Sequence, residues 1–423
     1  MGRVHRWSRG RHDFVTAADP YVQRTATADD HEEIWRLLNL AFGNDFPDDA
    51  RDVEGAVFEP ERAQVIVYNG EIVANAAAYT RDLTVPGGPV PAAHVSLVSV
   101  LPTHRRRGLL RRLMVEQLRT VPEPIAVLWA SEGRIYQRFG YGMAAKTGSL
   151  EINTLEISML PAAPAVGSLR VMVPAEIRKD MQEVYERKRA SQPGLSSRDD
   201  RWWDHVTSDL ESRRAGHTAR RAVLYEGPDG PGGYAVWRSK SSWDSKGPKN
   251  ETKLVELIAL HPEAYAALWR FLLSIDLARS VHASFVATEE PILYLVNEPN
   301  QLGMRVGDGL WVRVVDLPVA LAARRYPVPV DVVLAVTDEL LPANAGRWRL
   351  RTNPDGTADC TPAGEAPADL AMDIADLGAV YLGGTPLGAL ASAGRVRELR
   401  PGTLAAANSA FSWPVAPAPM EIF

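Results

Sequence analysis

Val98-Ser99-Val100-Leu101-Pro102-Thr103-His104-Arg105-Arg106-Arg107-Gly108-Leu109-Leu110-Arg111 decides how this chain is read. An apolar strand candidate, His94–Val100, ends at Pro102, which cannot donate to a sheet ladder and so stops pairing. A basic turn follows and leads into a helix from about Leu109 to Leu118. Such a turn aims several backbone N–H groups at one place, and the helix dipole there favours an anion. Gly108 lets the backbone approach closely, and Arg105, Arg106 and Arg107 add positive field. The segment reads as a pyrophosphate cradle at the end of a sheet strand. A Walker loop is excluded because the Gly-Lys-Ser/Thr ending is missing, and a dinucleotide fingerprint because there is one glycine. The alternative reading of the arginine run is a solvated turn that caps a helix.

Working outward, Val22–Arg24 is a strand candidate and His31–Ala41 a helix, with Thr27 or Asp29 as its cap. Ala63–Tyr68 and Glu71–Thr84 flank Asn69-Gly70, a dipeptide suited to a two-residue hairpin. Ile125–Ala130 supplies another strand. The order strand, helix, three strands, helix, strand predicts an α+β or mixed α/β sheet. A seam is expected at Pro161–Ala165. Beyond it lie a helix at Glu176–Ala190, a hairpin around Gly227–Gly233, a strand Lys253–Leu260 and a helix Pro262–Leu273. This second block repeats the strand-then-helix order, but its turn has no arginine run and no glycine, and Glu263 would repel a pyrophosphate. A third block, from about Leu310, carries strands at Val330–Val336 and Arg347–Thr352 and a helix at Asp373–Tyr381.

The 423 residues, 46% hydrophobic and 23% charged, have the balance of an ordinary globular protein. That length predicts several domains rather than one core. A formal net charge of −5 gives no overall positive field for nucleic acid. No apolar run is long enough to span a bilayer. One cysteine, Cys360, excludes an intramolecular disulfide and a cysteine-rich metal site. Together with a basic N-terminal extension that no apolar stretch follows, this predicts a cytoplasmic protein. His94 and His104 lack ligand spacing, so no metal is expected. The apolar ending, Ile422-Phe423, suggests a terminus docked on the fold.

The pyrophosphate segment resembles that of the GNAT superfamily, the acetyl-CoA-dependent N-acetyltransferases. Arg105-Arg106-Arg107-Gly108-Leu109 follows the superfamily pattern and Leu110 departs from it. The longer string Leu101–Arg111, together with Ala130-Ser131-Glu132-Gly133-Arg134-Ile135-Tyr136-Gln137-Arg138-Phe139-Gly140-Tyr141-Gly142, looks like one branch, the enhanced intracellular survival (Eis) acetyltransferases. Leu310–Arg313, Pro318–Leu321 and a terminal aromatic residue extend the likeness over about residues 22–423. The resemblance implies two tandem GNAT-like mixed-sheet domains followed by a sterol-carrier-protein-like α/β domain. The expected bounds are 1–21 for the basic extension, 22–158 for the catalytic domain, 159–305 for a second GNAT-like domain without a cofactor site, and 306–423 for the third.

The same resemblance implies acetyl-CoA as co-substrate. Val98, Ser99 and Val100 would lie along the pantetheine arm. Arg106, Arg107, Gly108, Leu109, Leu110 and Arg111 would hold the pyrophosphate, and Ser131 and Glu132 would line the slot. It implies Tyr136 as the general acid and the carboxylate of Phe423 as the base, with Asp45 and Phe46 in the acceptor pocket. Ordinary packing remains the alternative for Tyr136, and a docked tail for Phe423. The implied acceptor is a cationic amine, an aminoglycoside-like polyamine or a lysine side chain, and the implied assembly a homo-oligomer, a hexamer. Eleven acids between Asp29 and Glu61, opposed by Arg36 and Arg51, suggest a negative lip over that pocket. Ile422 stands where the branch can carry a carboxylate side chain. A rival from another class is a lipid-carrier or scaffolding protein with a vestigial acetyltransferase domain. The two part at Tyr136 and the Arg105–Gly108 turn, which a vestigial domain has no reason to keep.

Overall fold

The computed structural model describes residues 19–161 and 166–423. Most of the basic extension, residues 1–18, and residues 162–165 of the expected seam lie outside the described residues.

The first sheet is built from β1 (Tyr21–Thr25), β2 (Ala63–Tyr68), β3 (Glu71–Val85), β4 (Gly88–Val100), β5 (Ile125–Trp129) and β6 (Gly142–Met143). Helices α1 (His31–Phe42) and α2 (Asp48–Gly55) follow β1, α3 (Leu109–Thr120) follows β4, and α4 (Gly133–Gln137) follows β5. Asn69 and Gly70 both have positive φ, as a two-residue hairpin turn requires. Neighbouring strands are antiparallel except β4 and β5, which run parallel through Ala92–His94 and Ile125–Val127. Beyond that short contact the two strands part, although β4 continues to Val100 and β5 to Trp129. The parting opens a wedge with free backbone edges on both sides.

A strand from the far end of the chain, Leu310–Val314, closes this sheet by pairing with β5 and β6. Conversely, Lys146–Asn153 leaves the first sheet and pairs with Ala278–Val286 in the second. The expected boundaries at 158 and 306 therefore do not follow the sheets. An apolar strand pattern shows that a segment is half-buried, whereas its partner is chosen by tertiary packing. The second sheet repeats the layout of the first: Asn250–Ala259 and Ala278–Val286 form its parallel pair, with the helix Pro262–Leu273 between them.

The third unit is a five-stranded sheet around Asp331–Thr337, with helices Leu317–Ala323, Ile374–Val380 and Thr403–Phe411. It shares one apolar core with the first sheet, in which Leu83, Val85, Ile125 and Val127 pack with Leu334, Leu377 and Phe411. Arg313, fully buried, forks onto both Asp338 oxygens at 2.8 Å and ties that closing strand to the third unit. From Ser412 the chain runs without regular structure along the second unit, where Ala418 N–H donates to Pro193 O at 2.9 Å. It ends against β4.

Candidate active site

The cradle segment folds as read. Pro102–His104 form one 3-10 turn, and Gly108, at φ +80°, sits just ahead of α3. Arg106 also takes a left-handed φ of +62°, uncommon for a side chain of that size. These two positive-φ residues, separated by one residue in the chain, bend the loop, and both line the cleft beside the α3 N-terminus. Arg105 does not point there freely: its guanidinium donates to Ala41 O at 2.7 Å and braces the loop against α1. Arg106, Gly108, Leu109, Leu110 and Arg111 line a cleft of about 960 Å³ together with Val98, Ser99, Val100, Ser131, Glu132 and Tyr136. Arg107 is exposed and is not part of that wall.

The cleft begins at a bulge in β4 where the pairing with β3 slips between Asn75 and Ala77. Leu97 adopts φ +55° there, and Asn75 Nδ2 holds its carbonyl at 3.0 Å. The extra residue bends β4 away from β5 and widens the wedge. Ser99 Oγ is buried without a hydrogen-bond partner among the described residues. A buried hydroxyl on the wall of a cleft edged by free backbone groups suits an amide-bearing arm lying alongside. These features fit acetyl-CoA. Nothing in the sequence pattern singled out Asn75, which precedes the motif by more than twenty positions.

A second cavity of about 390 Å³ shares Phe42, Val98, Ser131 and Tyr136 with the first. Tyr136 therefore stands in the wall between the two. Its ring is buried in an apolar cluster that includes Ala78, Val95 and Trp311, and burial pushes the phenol up to about 12. Tyr141, the neighbouring candidate, is fully buried 6.0 Å away and lines neither cavity.

Phe423 closes the second cavity. Ser96 Oγ donates to its carboxylate at 2.7 Å, and its ring packs edge-on over His94 at 4.6 Å. His94 is a packing residue rather than a ligand: Nδ1 meets Ala92 O and Nε2 meets Ser196 Oγ. Burial, reinforced by Arg81, drops the imidazole to about 3. Glu421 locks the tail by pairing with Arg81 of β3 and with Arg198 of the second unit. Burial opposes its charge, yet the two guanidiniums outweigh burial and hold the carboxyl at about 2. The anchor is thus Glu421, two residues from the end, while Ile422 is 57% exposed beside the cavity.

Trp35, Phe46, Tyr79 and Trp129 give this second cavity aromatic walls, and the second unit adds His205 and Arg213. Phe46 is placed by its own N–H, which donates to Asn39 Oδ1 at 2.9 Å. Asp45 is exposed and is not in the wall; Asn44 lines it instead. The expected negative lip is reduced by internal pairing. Asp30 binds Arg24, Glu33 reaches Arg36, and Asp48 and Asp52 flank Arg51. Glu59 accepts from Thr80, while Glu54 lines the cavity but is held by His205 and Arg213. A count of acids along the chain could not show which of them would meet an arginine after folding.

The groups so placed suit acyl transfer: a wedge for a thioester arm, a protonated phenol, a carboxylate and an aromatic acceptor cavity. Residues 23–144 and 194–314 each match an acetyltransferase (GNAT) domain model, and residues 317–419 a sterol carrier protein domain. N-acetyltransferase Eis of Mycobacterium tuberculosis is 33% identical over 404 residues, covering 91% of this chain and 95% of that protein. The chain belongs to the Eis family of N-acetyltransferases.

Its relatives include an uncharacterized N-acetyltransferase of Streptomyces avermitilis, 44% identical over 83% of this chain and 87% of that protein. Among solved structures, Eis1 from Mycobacterium abscessus matches with a TM-score of 0.80 and 31% identity, over 95% of this chain and 100% of that one. A GCN5-related N-acetyltransferase from Anabaena variabilis shares the fold, with a TM-score of 0.82 at 21% identity, 95% of this chain and 100% of that one being covered. The Eis-family chain is thus an acyltransferase of two GNAT units and a sterol-carrier-like unit. No helix among its described residues is long and apolar enough to cross a membrane. No group of three or more His, Cys, Asp or Glu among them is disposed to hold a metal ion.

Proposed function

We propose that this protein transfers an acetyl group from acetyl-CoA to a primary amine of a cationic acceptor, both substrates being bound together. When bound, acetyl-CoA supplies the activated acetyl group as a thioester. Backbone groups of Val98 and Val100 hold the pantetheine arm in the wedge. The loop from Arg106 to Arg111 grips the pyrophosphate through amide hydrogens at the α3 N-terminus. Arg107, though exposed, adds field to the same loop.

The aromatic walls formed by Trp35, Phe46, Tyr79 and Trp129 receive the ammonium form of the acceptor by cation–π attraction. The Phe423 carboxylate takes a proton from that ammonium and leaves the amine neutral and nucleophilic. An α-carboxylate in water is a weak base, with a pKa of about 3.5. Here one of its oxygens accepts from Ser96, which fixes the half-buried carboxylate at the wall of the cavity. The amine nitrogen would then bond to the acetyl carbon as the carbon–sulfur bond breaks; Tyr136, which keeps its proton at neutral pH, would deliver it to the departing sulfur, and the second nitrogen proton would return to the phenolate.

The observation that carries this reading is the position of Tyr136 in the wall common to both cavities, with Phe423 in the wall of the smaller one. The test is release of free CoA from acetyl-CoA by the full chain across a panel of polyamines, aminoglycosides and lysine peptides. Absence of turnover with every amine would remove the reading. The second unit lacks a cradle and takes no part in cofactor binding. Assembly as a homo-oligomer, a hexamer by family likeness, is checked by native mass spectrometry.

A further inference from the structure

A third cavity, of about 210 Å³, lies behind the acceptor cavity and shares His205, Arg213 and Ile422 with it. Its composition is unlike the aromatic chamber in front. Arg198, Arg213, Arg220 and Arg238 line it, against the carboxylates of Glu256 and Glu421. Both carboxylates are bound to Arg198, at 2.6 Å each. Glu421 is held by Arg81 as well, and Glu256 also accepts from Tyr234 at 2.6 Å. Glu54 meets Arg213, and Asp209 meets Arg238 while also serving Arg214.

Arg220 is paired with no carboxylate among the described residues. Its side chain donates to the carbonyl of Val206, and its Nε has no partner among them. Arg238 is 6% exposed, and its Nη1 likewise has no partner. Burial and then the nearness of Arg238 lower Arg220 to about 10, as expected of two guanidiniums facing one space. Unpartnered buried donors are costly unless something accepts from them. Guanidinium forks match oxyanions best.

We propose that this cavity is an oxyanion site that takes a carboxylate or phosphate group. Resting on the acetyltransferase reading above, that group is the anionic end of an acceptor whose amine lies at Phe423. Ile422 stands with His205 and Arg213 in the walls of both cavities, so the two adjoin. Within the amine acceptors of that reading, one that also carries an oxyanion, as a lysine peptide does, fits this pair of cavities better than a pure polyamine does.

The test uses the full chain and two probes. Inorganic phosphate should raise the thermal midpoint saturably, and Arg220→Gln should weaken that response by about tenfold or more, as loss of a charge-assisted hydrogen bond predicts. The stabilisation given by acetyl-CoA should persist in the variant, which shows that it is folded; Arg220→Lys, keeping charge but losing the fork, should retain part of the phosphate response. In the second arm, kcat/KM for a straight-chain ω-amino carboxylate is compared with that for the alkylamine of equal length. A preference for the amino carboxylate that Arg220→Gln abolishes places the oxyanion on the acceptor. Equal values with phosphate binding intact make free phosphate its source. No phosphate response in the unaltered protein and no preference between acceptors overturns the site. No CoA release from either acceptor with the phosphate response intact overturns the acetyl-transfer reading instead.

Discussion

Ser96 and Phe423, 327 residues apart in the chain, meet through a 2.7 Å hydrogen bond from the serine hydroxyl to the terminal carboxylate. Three structural units converge to make that contact. β4 presents the serine, the third unit delivers the tail, and Arg198 of the second unit joins Arg81 in gripping Glu421. Phe423 is thereby built into the wall of the second cavity.

Adding two glycines after Phe423 moves the carboxylate without removing any side chain. Steady-state CoA release should fall about 100-fold or more, the scale of general-base catalysis. The thermal midpoint should stay within a few degrees of the parent protein. Unchanged turnover with unchanged folding assigns the tail a docking role alone.

Tyr136→Phe should lower kcat by about 100-fold or more while leaving acetyl-CoA affinity nearly as it was. Because burial raises the phenol to about 12, the unaltered enzyme should show no alkaline loss of kcat from this group below about pH 11. A pH–rate profile for the two proteins decides this. An equal kcat in the phenylalanine variant removes the proton-donor role.

Glu421→Gln tests the anchor through its pH dependence. Folding lowers this carboxyl from an ordinary 4.5 to about 2, so its stabilisation is fully present above pH 4.5 and is lost as pH falls through 2. The variant should be less stable by about 3 kcal/mol at pH 7, as expected when one partner of a buried ion pair is removed. The gap should narrow steadily below pH 4.5. Urea unfolding at several pH values measures it, and a gap independent of pH contradicts the ion-pair account.

Gly142→Ala tests the seam between the first and third units. A Cβ at this position would lie 1.8 Å from Ala375 O and 2.4 Å from Ala379 N, both backbone atoms of the helix Ile374–Val380. The helix must shift, at a cost of about 3 kcal/mol. A urea midpoint equal to that of the parent shows that the units do not pack as described.

The strand–turn–helix segment from Val98 to Arg111 was legible because its physics is local. A proline, an arginine run, a glycine and a helix start all fall within ten positions, and the structure folds them into one turn. Tyr136 was reached through family likeness and lies where the two cavities meet. What stayed hidden depends on partners far along the chain. The exchange of Lys146–Asn153 and Leu310–Val314 between sheets is invisible to strand periodicity, which encodes burial and not the neighbour. The acids of Asp29–Glu61 looked like a lip because a count of charges hides their pairing, both with near neighbours, as Glu33 with Arg36, and across the fold, as Glu54 with His205. Glu421 gave no signal in the sequence, because its two arginines lie more than two hundred residues away.

Titration calorimetry with acetyl-CoA tests the central claim most directly, since the chain carries two GNAT units and a cradle in one. The expected result is one acetyl-CoA bound per chain, with affinity reduced at least about tenfold by Arg106→Ala. No binding, two bound per chain, or binding indifferent to Arg106 would contradict the account.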